Sequence, residues 1–155
     1  MIISGERRLS APTGAVWRAL HDVAVLRAAL PGCQELEQTG PQRFSGAANV
    51  GIAVIKGLYR GTLTLLEEQE PSFARVQVEA RSGHAEIRGE GSVSLEPADG
   101  ATLLRYTGEA HIRGPLAAVG QRLLPSASKS LADQFFRNVE EWLLRAADVQ
   151  LQGGS

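Results

Sequence analysis

Apolar and polar residues alternate with a period of two through the middle of the chain, and at both ends the period lengthens to that of a helix. Residues 2–9 read as a strand, with Ile3 and Leu9 of one parity and Glu6 and Arg8 of the other. "SAPTGAVWRAL" then opens a helix: Ser10 is the expected N-cap, Pro12 falls in the first turn, and Val16, Trp17 and Leu20 recur at helical spacing. "DVAVLRAALPG" repeats the signal, with Asp22 as cap and Pro31-Gly32 as stop. From Cys33 to Arg113 six stretches alternate: "CQELEQT", "RFSGAANV", "IKGLYRGTLTLLEE", "FARVQVEAR", "EIRGEGSVSL" and "ATLLRYTGEAHIRG". Short turns between them predict an antiparallel sheet with one wet face. After Arg113 the apolar positions Val119, Leu123, Ala127, Leu131, Phe135, Val139 and Leu143 recur every fourth residue. Such a helix would run about 45 Å. Pro125 lies inside it and is expected to kink or split it near Leu124.

One strand, two short helices, six strands and a long helix make an α+β pattern. The apolar face of a curved antiparallel sheet needs a cover, and the last helix is the only long amphipathic element available. The sheet is therefore expected to grip that helix, in one domain over residues 1–148 followed by a short flexible tail over 149–155. The inward row carries unusually small residues: Gly46, Ala48, Gly57, Gly61, Gly89, Gly91, Gly108 and Ala110. For any one of these glycines, sheet coiling or close backbone approach is the more economical reading. As a set under one helix they predict an apolar cavity, because interiors do not keep large voids without loss of stability. Its expected lining includes Phe44, Tyr59, Tyr106, Leu123, Leu131 and Phe135. Trp17 and Ala127 complete the lining, and the mouth is placed near Leu26, Leu30 and Leu124.

Composition narrows the function classes. A chain of 155 residues with 43% apolar and 21% charged residues can bury a real core. The net charge of −1 offers no surplus of cations for nucleic acid. The single cysteine, Cys33, excludes an intrachain disulfide and fits a reducing compartment. No signal-peptide pattern opens the chain and no uncharged apolar run approaches 18 residues, so a cytoplasmic protein is expected.

No catalytic set is legible. His21, His84 and His111 lie in no metal-binding spacing, and His111 has outward parity. Glu67, Glu68 and Glu70, like Glu140 and Glu141 on the last helix, read as solvated carboxylates rather than general acids or bases. Cys33 has no readable activating partner. Tyr59 or Tyr106 could offer a hydroxyl to a ligand carbonyl, and a backbone partner is the more economical reading for each. No metal or cofactor is expected.

The order β-αα-β₆-α resembles the START-like or Bet v 1-like helix-grip fold. The words "LPGCQELEQTG", "GIAVIKGLYRGTLTL", "GHAEIRGEGSVSL" and "SKSLADQFFRNVEEWL" resemble the carbon monoxide dehydrogenase G-subunit family, from Ile2 to about Leu144. The resemblance implies a non-catalytic accessory protein of a molybdenum hydroxylase complex. It also implies a quinone or similar lipid in the cavity, and a peripheral contact at the inner face of the membrane. A helix-grip cyclase or hydrolase acting on an aromatic or polyketide-like substrate is the alternative; it requires titratable side chains converging inside.

Overall fold

The computed structural model describes residues 1–52, 55–120 and 122–153. Strand β1 (Ile2–Leu9) ends where the Ala11 amide turns back onto the Leu9 carbonyl, and helix α1 (Thr13–His21) follows. Pro12, not Ser10, occupies the N-cap position, and no side chain caps the helix. Ser10 lies two residues outside the cap position because the helix begins only at Thr13, and its amide donates instead to both carboxylate oxygens of Glu140, at 3.1 and 3.0 Å. Glu140 is thus a tie between the end of β1 and the last helix rather than a solvated charge. Asp22 does cap helix α2 (Val23–Ala29), accepting from the Ala24 amide at 2.8 Å.

Six strands follow: β2 (Cys33–Gly40), β3 (Arg43–Val50), β4 (Gly57–Gln69), β5 (Phe73–Arg81), β6 (Glu86–Ala98) and β7 (Ala101–Arg113). They form one antiparallel sheet in the order β1-β7-β6-β5-β4-β3-β2. Ile55, expected on a strand, lies instead in the β3–β4 connection, where its amide bonds the Ile52 carbonyl at 3.0 Å and its side chain is buried. Helices α3 (Pro115–Gly120) and α4 (Leu124–Gly153) replace one long helix. Pro125 falls in the first turn of α4, where a missing N–H costs nothing, so the split precedes it. The backbone of 149–153, expected as part of a tail, continues α4.

Helix α4 lies across the inner face of the sheet and the core divides in two beneath it. One cluster joins Val16, Trp17, Val25 and Ala29 of α1 and α2 to Leu9, Leu95 and Leu104 of the strands and to Phe136, Val139 and Leu143 of α4. The other joins Val50, Ile55 and Tyr59 to Ala85, Leu116, Leu124 and Ala127, at the end where α4 begins. Each large side chain fully buried this way stabilises the fold by about 1.5–3 kcal/mol. Thr102, fully buried in a core setting, satisfies its hydroxyl by donating to the Ala11 carbonyl at 2.7 Å. No described helix is long and apolar enough to cross a membrane.

Candidate functional site

Between the two clusters lies a span of sheet that belongs to neither. Strand register defines it as two inner rows: Phe44, Leu63, Val78, Gly89 and Ala110, then Leu65, Val76, Gly91, Gly108 and Ile3. Phe44 and Leu65 are buried, but Leu63, Val76, Val78 and Ile3 are only half-buried although they share the parity of the core residues on either side. Above them, Leu131 packs with the second cluster and Phe135 with the first, and both are half-buried too. Apolar side chains that face a covering helix yet remain partly open leave apolar surface that neither cluster covers. This span is the candidate site.

The glycines of the inward row have a second cause. A Cβ on Gly46 would sit 2.3 Å from the Glu35 carbonyl oxygen, and one on Gly61 equally 2.3 Å from that of Glu79. At Gly91 the Thr107 carbonyl would stand at 2.8 Å. Backbone of the neighbouring strand cannot retreat, so these three permit tight sheet coiling. Gly108 differs: a Cβ there meets nothing closer than 3.6 Å, an ordinary contact. The small residues thus shape the sheet first, and any space left above them follows from that curvature.

The remaining expected lining residues are dispersed. Trp17 lies in the first cluster, with its ring stacked on His21 at 4.4 Å, and Tyr59, Leu124 and Ala127 lie in the second. Leu26 of α2 and Leu30, the residue that caps its C-terminus, are half-buried and appear in neither, and Ala48 pairs with Tyr59 in the ladder. Leu123, expected to face inward, is 55% exposed because it precedes α4 and escapes the helical register.

The solvent side of the sheet carries a trough of about 1040 Å³. Its walls include Arg60, Arg81, Arg88, Glu35, Glu79 and Glu86, with Gly46 and Gly61 between them. These charges neutralise one another in exposed pairs, Arg60–Glu35 at 2.7 Å and both Arg81–Glu86 and Arg88–Glu79 at 3.6 Å. Paired, hydrated charges suit no apolar guest. The inner span is the better candidate on chemistry.

Titratable groups do not converge on the span. Glu68, expected as a solvated carboxylate, bonds His21 Nε2, while His21 Nδ1 donates to the Trp17 carbonyl at 2.7 Å. This pair ties α1 to the far end of β4, beside the first cluster. Among the described residues no three His, Cys, Asp or Glu side chains gather as a metal site would require. Burial pushes the Cys33 thiol above its ordinary range, against the nearby Arg27 charge that pulls the other way. Tyr106 is the exception. Its ring stacks on Phe136 at 5.2 Å, and its buried hydroxyl has no hydrogen-bond partner among the described residues. Burial raises that phenol above its ordinary value, with the Asp133 charge adding to the effect.

A family model of the carbon monoxide dehydrogenase G subunit, CoxG, matches residues 5–144, from β1 to the later turns of α4. The chain belongs to that family. Both clusters and all of the span except Ile3 therefore fall within the CoxG match. The crystal structure of a conserved protein from Geobacillus kaustophilus is similar at a TM-score of 0.90 and 28% identity, over 94% of this chain and 97% of that one. A START superfamily protein from Mycobacterium smegmatis shares the fold at 0.74 and 10% identity, over 94% and 98%. Ara h 8.0201 shares it at 0.69 and 13% identity, over 94% and 98%. The architecture is the helix-grip fold of the START and Bet v 1 type. A comparison with curated proteins gives no match.

Proposed function

We propose that this CoxG family member is a non-catalytic carrier or sensor of an apolar molecule, a quinone or lipid, held between the sheet and α4. In this reading it serves a molybdenum-containing hydroxylase of the carbon monoxide dehydrogenase type. One observation carries the reading: the core is split, and Leu63, Val76, Val78 and Ile3 between its halves are left half-buried under the helix. A guest completes the core that the chain leaves unfinished.

A membrane as the source of the guest is supported by charge placement. Lys56 stands two residues before Leu58, and Arg122 stands next to Leu123. Their chain neighbours Ile55, Tyr59 and Leu124 belong to the cluster at the start of α4, and Leu58 and Leu123 themselves are exposed at 42% and 55%. Cations around exposed aliphatic side chains favour an anionic lipid surface.

The test loads anionic vesicles with a panel of quinones and long-chain lipids, mixes them with protein, and separates the two by sedimentation. The expected result is guest in the protein fraction, by mass spectrometry, and a share of protein on the vesicles. Gly108→Leu, at a glycine of the span whose Cβ position meets only ordinary contacts, is expected to keep the fold and abolish uptake. Wild-type protein that extracts nothing, or uptake untouched by Gly108→Leu, contradicts the proposal.

A further inference from the structure

Tyr106 projects from β7 onto the inner face, in register with Val93 on β6 and Gly5 on β1. Its ring crosses to β1, where a Cβ on Gly5 would lie 2.6 Å from the phenol oxygen. Only glycine at that position lets the hydroxyl lie where it does. Phe136 of α4 stacks on the ring, and Phe135 meets Phe136 edge-on at 5.0 Å. The hydroxyl is shielded from solvent and bonds nothing among the described residues. Buried polar groups are nearly always paired, so an orphan in so apolar a setting calls for an account. The next inner positions toward the span are Gly91 on β6, Gly108 on β7 and the half-buried Ile3 on β1, so the phenol borders the second inner row beside Ile3.

We infer that the Tyr106 hydroxyl is the polar anchor of the guest, which is therefore an apolar molecule bearing a neutral carbonyl or hydroxyl oxygen. The inference rests on the reading of the inner span as a guest site, and it narrows the class of guest. An oxygen-bearing guest satisfies the phenol, whereas a pure hydrocarbon leaves it orphaned. A carboxylate is disfavoured because Asp133 of α4 already places a negative charge near the same phenol. The geometry thus separates neutral quinones and long-chain alcohols from ionised fatty acids and from hydrocarbons, all of which the apolar rows alone would accept.

The test compares three probes by equilibrium titration in detergent-free buffer: a prenylated 1,4-naphthoquinone, the prenylated naphthalene of the same carbon skeleton, and palmitate. Wild-type protein is expected to favour the quinone over the naphthalene about fivefold to tenfold, the weight of one net hydrogen bond. Tyr106→Phe is expected to remove that preference while binding the naphthalene unchanged. The quinone carbonyl stretch in the infrared is expected to shift to lower frequency in wild type and not in Tyr106→Phe. Without any guest, Tyr106→Phe is expected to be as stable as wild type or more so, since it removes an unsatisfied group. Equal affinity for quinone and naphthalene in wild type overturns the anchor while leaving the guest site intact. So does a guest-free Tyr106→Phe that melts lower and keeps the preference, which would assign the hydroxyl a structural partner. Failure of wild type to bind any of the three overturns the guest site and the anchor together.

Discussion

If the interior is underfilled between the two clusters, one chemical change must have different costs at two inward-facing strand positions. Leu104 on β7 is fully buried in the first cluster, and Leu63 on β4 is half-buried in the span. Truncation to alanine removes the same three carbons in each case and carries the same loss of strand preference. At Leu104 the transfer term is about 2.4 kcal/mol, at about 0.8 kcal/mol per buried methylene. A cavity with fixed walls brings the total to about 3–5 kcal/mol. At Leu63 roughly half the transfer term applies, about 1.2 kcal/mol, and no sealed cavity forms because the side is already open. The assay is urea unfolding of guest-free protein, with both variants keeping the wild-type m-value. For a chain of this length the difference corresponds to about 4–15 °C in melting temperature. Addition of a bound quinone is expected to raise the cost of Leu63→Ala more than that of Leu104→Ala. Equal costs without guest would mean that the span is packed as tightly as the clusters, and the case for a guest site would fall with it.

Two further outcomes follow from close approach and from burial. Gly61→Ala forces a methyl against the Glu79 carbonyl and is expected to cost about 2 kcal/mol or more, whereas Gly108→Ala is expected to be near neutral; calorimetry of the two variants checks the contrast. The Cys33 thiol, raised by burial, is expected to alkylate more slowly than free cysteine at pH 7.5 and to gain rate only at higher pH. The folded protein holds that proton to a higher pH than the unfolded chain does. The thiol's contribution to stability is therefore complete below the unfolded value and declines as pH rises through the folded one. Alkylation at pH 7.5 faster than that of a free thiol refutes this.

The strands, their parity and the two short helices were legible because each is written in local periodicity and ends in Pro, Gly or a capping Asp. The break before Pro125 was legible for the same reason. The ties were not. Glu140 serves an amide 130 positions away and Glu68 a histidine 47 away, and nothing near either residue announces the partner. The glycines show the limit most clearly. Gly61 and Gly108 look alike in the pattern, yet one is pressed against a neighbouring carbonyl and the other has ordinary room. Only the distance between strands separates them, and that distance is a property of the coiled sheet rather than of either residue. The orphaned hydroxyl of Tyr106 was open in the sequence as one of two phenols; its partner, or want of one, depends on Gly5 and Phe136 from opposite ends of the chain.

The position of β1 has a bearing on how the molecule is made. Its only ladder partner, β7, leaves the ribosome roughly 100 residues later, which is about 5–20 s at ordinary rates of synthesis. Through that interval the nascent chain can zip the hairpins from β2 to β6, but Leu9 has no cluster to join. Helix α4 is translated after every strand, so the greasy side of a nearly finished sheet stands bare until its turns emerge. Newly made chains are therefore most exposed to chaperones, and to stray lipids, in the seconds between the last strand and the helix that covers it.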